Sequence, residues 1–317
     1  MPLYFHDLYT DGIHPDARFP RDRYRLIAAR FTAGATAQWV RVEAAPLATK
    51  QDVLMAHEPN YVERFLSAQM PMVERRKIGL RPWTPTIIPR TMHIMGGALA
   101  GLRHVHTYGG VAANMAGGTH HAHVNWGSGY CVFNDLAICA RVARQHLGYS
   151  RVLVLDLDVH QGDGTATILA NDAGVLTVSV HCRENFPFNK ATSHHDLPVP
   201  AGSQDGTFLA TVDEALAIGV NFHPDLILFQ AGVDGLKTDK LGRLELTRDG
   251  MRERNQRVFN LCTTLNVPCV VFMGGGYSRP IDATIDAFFD LFWQAARTHA
   301  AHLGHVMPDL ATQSPTP

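Results

Sequence analysis

The sequence lacks what a disulfide-framed, membrane-spanning or polyanion-binding protein needs. Its five cysteines stand at 131, 139, 182, 262 and 269, none in a CxxC pair, and an odd number cannot all be bridged. Reduced thiols are expected, and with them a cytoplasmic location. No window approaches 18 uninterrupted apolar residues, so no transmembrane helix is expected. The start, MPLYFHDLYT, has no basic segment leading into an apolar one, so no signal peptide is expected. No basic run stands out, and 28 Lys and Arg against 29 Asp and Glu leave a net charge of −1. That balance gives no electrostatic case for nucleic acid or an anionic membrane. A basic peptide substrate stays open, because a local acidic rim would not alter the total.

A chain of 317 residues with 46% hydrophobic and 18% charged residues has ample core material and no signature of disorder. Short apolar runs at 3–5, 151–157, 175–180, 226–230 and 267–273 read as strands, and GGVAANM (109–115) as a short strand running into a loop. Helical patterns cover 20–33, 59–70, 91–107, 134–147, 206–222, 247–266 and 281–299. Strands that are apolar throughout and alternate with helices predict a three-layer α/β/α architecture on a parallel sheet. With no linker and no internal repeat, residues 1–307 form one domain in this reading, and 308–317 are expected to be a disordered tail.

The polar clusters follow the strands. GGTHHA (117–122) follows GGVAAN, DLDVHQGDGT (156–165) follows RVLVL, AGVDG (231–235) follows LILFQ, and GGGY (274–277) follows VVFM. In open parallel sheets ligands collect outside the carboxyl ends of the strands. Stability alone gives no reason for four strands to deliver polar groups at one end.

In an extended segment side chains alternate faces, so Asp156, Asp158 and His160 point the same way. Two carboxylates and an imidazole suit Zn²⁺ or another divalent ion. The competing reading is a salt-bridged strand end, but no Lys or Arg lies in the stretch to pair with them. Asp234 ends another strand; alone it reads as a turn or helix cap. With Asp158 and His160 it makes three protein ligands and leaves a coordination position open, the pattern of a catalytic site. A lone histidine is usually structural, yet His120 and His121 are adjacent after a Gly-Gly turn, and acid–base work needs a near-neutral group. Asp156 and Asp163 are the carboxylates left to orient them. Tyr277 fits either core packing or a phenol donating to a developing oxyanion.

Taken together, GGTHHA, GYCVFND (129–135), DLDVHQGDGT, QAGVD (230–234) and MGGGY (273–277) resemble, in order and spacing, the zinc-dependent histone deacetylases of the arginase–deacetylase superfamily. The resemblance covers residues 117–277. HPDARFPRDRY (14–24) is more loosely similar to short class IV and bacterial members. It implies an arginase–deacetylase fold with an eight-stranded parallel sheet, and a Zn²⁺ held by Asp158, His160 and Asp234, with Fe²⁺ as the other metal the site could take. It further implies His121 as general base paired with Asp163, His120 as its partner paired with Asp156, and Tyr277 polarising the substrate carbonyl. Gly129, Tyr130 (where most members carry phenylalanine), Phe186 and Gly275 would line an acyl-lysine tunnel. Asp156, Ser179 and the main chain of Asp158, His160 and Val180 would hold K⁺. The implied substrate is an acylated lysine in a protein or peptide. The alternatives are an acetylpolyamine or other small N-acyl amine, a ureohydrolase with two manganese ions, and a non-catalytic acyl-lysine reader. Selectivity would lie in rim segments near 10–25, 75–92 and 183–196.

Overall fold

Val152–Asp156, Leu226–Gln230, Val111–Asn114 and Cys269–Phe272 are strands buried at every position, and that burial is only possible if helices cover both faces of their sheet. The computed structural model describes residues 1–32 and 34–308; residues 309–317 of the expected tail lie outside the described residues. In chain order the strands are β1 (Pro2–Phe5), β2 (Arg41–Ala44), β3 (Val111–Asn114), β4 (Val152–Asp156), β5 (Val175–Cys182), β6 (His195–Val199), β7 (Leu226–Gln230) and β8 (Cys269–Phe272). Among the described residues they form one eight-stranded sheet in the order β2-β1-β3-β8-β7-β4-β5-β6, parallel throughout.

The two strands absent from the sequence reading, β2 and β6, are the two edges. Their residues are mostly half-exposed or exposed, so neither carries the continuous apolar run that marks the others. The central strands carry the core. Leu226, Ile227, Leu228 and Phe229 of β7 are fully buried, each contributing about 1.5–3 kcal/mol through burial.

Helix boundaries follow local chemistry. The helix Asp135–His146 is capped by Asn134, whose side chain accepts from the Ala137 amide at 2.9 Å. The helix expected from residue 91 starts at Ile87, because Pro89 falls in its first turn, where a missing N–H costs no intrahelical bond. The helix expected over 59–70 ends at Leu66, and a further helix, Met72–Ile78, follows it. Ile87–Tyr108 packs on β1, β3 and β8, and Asp205–Phe222 on β4, β5 and β6. Among the described residues no helix is long and apolar enough to cross a membrane.

Candidate active site

The four strands that end in polar clusters are consecutive in the sheet: β3, β8, β7, β4. Their outgoing loops therefore meet. One cavity of about 850 Å³ is lined by His120 and His121 after β3, Asp158 and His160 after β4, Asp234 after β7, and Gly275 and Tyr277 after β8.

The loop after β3 is anchored first. The Asp135 carboxylate accepts from the Gly118 amide at 2.9 Å, and from the Thr119 amide and hydroxyl at 2.8 and 2.7 Å. This ties GGTHH to the start of the next helix and sets both imidazoles. His120 Nδ1 lies 2.7 Å from Asp156 Oδ2, and His121 Nδ1 lies 2.7 Å from Asp163 Oδ1. A carboxylate on Nδ1 fixes that nitrogen as the donor and leaves Nε2 for other chemistry. Burial opposes charge on both rings. For His120 the two carboxylates Asp156 and Asp158 override it and raise the pKa to about 9. For His121 burial prevails, reinforced by the His120 charge, and the pKa falls to about 4. The two neighbours thus divide: one holds a proton, the other is free to accept one.

Asp158, His160 and Asp234 bring one ligand atom each within 4.8 Å of one another. His160 Nδ1 is 3.0 Å from Asp158 Oδ1 and 3.1 Å from Asp234 Oδ2. All three are buried, Asp234 completely. Two carboxylates share one imidazole, so one negative charge is left over. It shows in Asp234, whose pKa is pushed up to about 7 by burial and by Asp158. A buried oxygen–nitrogen–oxygen donor set with excess negative charge fits a divalent cation.

Main-chain donors aim the carboxylates. Gly275 N donates to Asp158 Oδ2 at 2.8 Å, and Val159 N to Asp234 Oδ1 at 3.1 Å. A Cβ on Gly275 would lie 1.8 Å from Asp234 Oδ2, so no other residue fits there. Beneath the cluster Arg254, fully buried, donates to the carbonyls of Gly232, Ala231 and Leu157 at 2.5, 3.1 and 3.4 Å. It joins the ends of β4 and β7.

Tyr277 is held by its amide, which donates to Asp239 Oδ2 at 2.6 Å. Burial keeps its phenol protonated, with a pKa well above 10. Its ring lies 6.0 Å from that of Tyr130. Phe186 lies edge-on to His121 at 4.9 Å. Gly129, at φ +52°, sits so close to His121 that a Cβ would fall 2.5 Å from Cδ2. Gly129, Tyr130, Phe186 and Gly275 all line the same cavity. Ser179 pairs with Asp156 across β4 and β5, with Val180 next to it on β5.

Four contributors escaped the sequence reading: His123, Asp135, Asp239 and Arg254. His123 could have been suspected from HHAH. Arg254 reads only as one more arginine in the polar helix Arg248–Leu265, and nothing local marks it.

The fold and these strand-end groups define an α/β protein of the arginase–deacetylase superfamily. The chain belongs to the histone deacetylase family: the sequence pattern described as "Histone deacetylase domain" matches residues 17–290. An uncharacterised protein of the cyanobacterium Picosynechococcus is 37% identical over 284 residues, covering 89% of this chain and 93% of that protein. Histone deacetylase 2 of Arabidopsis thaliana is 31% identical over 242 residues, covering 73% of this chain and 62% of that protein. The crystal structure of acetylpolyamine aminohydrolase from Burkholderia pseudomallei has the same fold, with a TM-score of 0.76 at 23% identity over 93% of this chain and 98% of that one. Membership makes the chain a deacetylase, a hydrolase, and implies a metal ion at the Asp–His–Asp cluster.

Proposed function

We propose that residues 1–307 act as one zinc-dependent catalytic unit that removes acetyl or longer acyl groups from the side-chain amine of lysine in proteins or peptides. The observation that carries this reading is the meeting of two His–Asp dyads with the Asp158–His160–Asp234 donor set in a single cavity.

Asp158, His160 and Asp234 would hold Zn²⁺, and Fe²⁺ suits the same oxygen and nitrogen donors. When bound, the ion supplies a Lewis acid and a water of near-neutral pKa. His121, oriented by Asp163, takes a proton from the attacking water at Nε2. His120, kept cationic by Asp156, stabilises the negative charge that develops and helps return a proton to the leaving amine. Tyr277 donates its phenol proton as a hydrogen bond to the carbonyl oxygen as it becomes an oxyanion. Tyr130 and Phe186 flank the apolar stem of the acylated lysine, with Gly129 and Gly275 allowing close approach. The Asp156–Ser179 pair, with the main chain at Asp158, His160 and Val180, would take K⁺ as a structural ion.

A small N-acyl amine such as an acetylpolyamine would use the same groups, and the fold shared with an acetylpolyamine aminohydrolase keeps it as the alternative. A two-manganese ureohydrolase has less support: Gln161, next to His160, spends its side chain on Ala191 and Asp196, and Asp158–His160–Asp234 is the one such donor group among the described residues. A non-catalytic reader would have no use for the complete set of dyads and the phenol. Five buried, unpaired cysteines support a reducing, cytoplasmic setting.

The test is hydrolysis of a matched panel by zinc-loaded protein, with Tyr277→Phe as control. The panel holds acetyl-lysine, longer acyl-lysine peptides and acetylated polyamines. Turnover that the variant loses is expected. No turnover of any member at full zinc occupancy would overturn the reading.

A further inference from the structure

The mouth of the cavity has a charge that the composition hides. Three separate segments build it: residues 16–19, 77–82 and 184–188, with Leu241 and Arg243 closing the ring. Four exposed cations line it: Arg18, Lys77, Arg81 and Arg243. Two carboxylates accompany them, the exposed Asp16 and Glu184, which accepts from the Ala201 amide at 2.7 Å, so the exposed cations outnumber the exposed carboxylates by two.

Elsewhere on the surface some arginines are paired with carboxylates, as in Arg25 with Asp11, Arg64 with Glu74, Arg141 with Asp172 and Arg257 with Asp213, while others, such as Arg76 and Arg183, form no ion pair among the described residues. At the mouth none of the four forms an ion pair among the described residues, and Lys77 instead lies over the Trp126 ring, 3.2 Å from its centroid. In a chain whose net charge is −1, unpaired cations gathered at one opening are a local feature. Beside them Phe188 is 78% and Leu241 43% exposed, so the rim also offers apolar contact. Among the described residues the rim is cationic on balance, which does not suit a basic peptide.

Building on the deacylase reading, we infer that the mouth selects acylated amines whose amine-side portion carries carboxylates, an acyl-lysine flanked by Asp or Glu, and disfavours cationic amines. The physics is direct. The acyl group enters the tunnel, so everything else on the substrate stays at the rim. A cationic rim raises the local concentration of anionic substrates and repels an acetylpolyamine, whose remaining amines are protonated at neutral pH. The contacts are exposed, so each is modest and screened by salt. Several acting together give a preference that can be measured.

The experiment uses the zinc-loaded full chain and acetyl-lysine peptides of one length, with the flanking residues glutamate in one and lysine in the other, alongside acetylspermidine. The kcat/KM for the glutamate peptide is expected to exceed that for the lysine peptide by about fivefold or more at low salt. The ratio should shrink toward one at high salt, with acetylspermidine turned over worst. In Arg81→Glu/Arg243→Glu the ratio should invert. Equal rates, or a preference for the lysine peptide or acetylspermidine, would overturn the inference while leaving the deacylase reading standing. Binding of fluorescently labelled peptides is measured in parallel. Charge-selective binding without turnover would keep the inference and sink the hydrolase reading, and binding indifferent to flanking charge would sink the inference even in an inactive preparation.

Discussion

The carboxylate of Asp163 serves two imidazoles: Oδ1 lies 2.7 Å from His121 Nδ1, and Oδ2 lies 3.2 Å from His123 Nε2. His123 is itself placed by Thr167, whose hydroxyl lies 2.9 Å from its Nδ1, and by stacking on Trp126 at 3.8 Å. The orientation of His121 therefore depends on a carboxylate clamped from its far side. Asp163→Asn should lower kcat by about a hundredfold or more with metal content unchanged, since the amide fails to hold the required tautomer. His123→Ala should cost less than tenfold, because Asp163 keeps its bond to His121. Steady-state kinetics with metal analysis checks both, and an unchanged kcat in Asp163→Asn removes the orienting role.

Tyr277 tests the oxyanion contact in isolation. Tyr277→Phe leaves the ring packing with Phe19 and Tyr130 intact and deletes one donor. The loss expected is about 10²–10³ in kcat, with metal retained. A variant as active as the parent would remove the phenol from the reaction.

Asp234 carries the unneutralised charge of the donor set. Asp234→Ala should leave the protein without metal after dialysis, and full occupancy by elemental analysis would refute its assignment. Asp234→Asn makes a sharper case. It removes an excess buried negative charge, so the metal-free variant should melt at a higher temperature than the metal-free parent, while losing the stabilisation that metal confers on the parent.

His57 predicts how stability depends on pH. Its Nδ1 lies 3.0 Å from the His123 carbonyl, and its Nε2 accepts from the Asn134 amide at 2.8 Å. Protonating Nε2 would break the second bond. Burial lowers the pKa from 6.5 to about 4. Above pH 6.5 the ring is neutral folded or unfolded and costs nothing. As the pH falls from 6.5 to about 4 the unfolded chain takes up a proton that the native ring refuses, so stability is lost across that window, by about 3 kcal/mol for this residue. His299, lowered to about 3 chiefly by burial, acts in the same direction. Urea midpoints from pH 7.5 to 4.5 should decline in the parent and decline less in His57→Gln.

Arg254 tests the floor of the site. Arg254→Met leaves the carbonyls of Leu157, Ala231 and Gly232 without their donor, at a cost of about 2–4 kcal/mol. Chemical denaturation reads the loss. Wild-type stability in the variant would mean that the carbonyls find other partners.

Much of this protein is legible locally. The runs RVLVL and LILFQ determine buried strands, because a segment apolar on both faces can only lie inside a sheet covered twice. The alternation expected through DLDVH stops at Asp156, where the strand ends; residues 158–160 bend, and local bonds from Asp158 N to Asp156 Oδ1 at 3.2 Å and from His160 N to Asp158 Oδ1 at 3.0 Å set the three side chains instead. Asn134 determines the start of its helix through a bond three residues long.

Tertiary structure decided the rest. Only the strand order β3-β8-β7-β4 brings Asp234 to Asp158 and His160, since nothing near position 234 specifies which strand lies beside it. The edge strands β2 and β6 are defined by their neighbours rather than by their own half-exposed residues. The rim cations Arg18, Lys77, Arg81 and Arg243 come from distant segments and cancel in the total charge, so their sum acts only where folding gathers them. Burial and periodicity are properties of a short stretch and can be read there; adjacency is a property of the closed sheet, which exists only once the whole chain has folded.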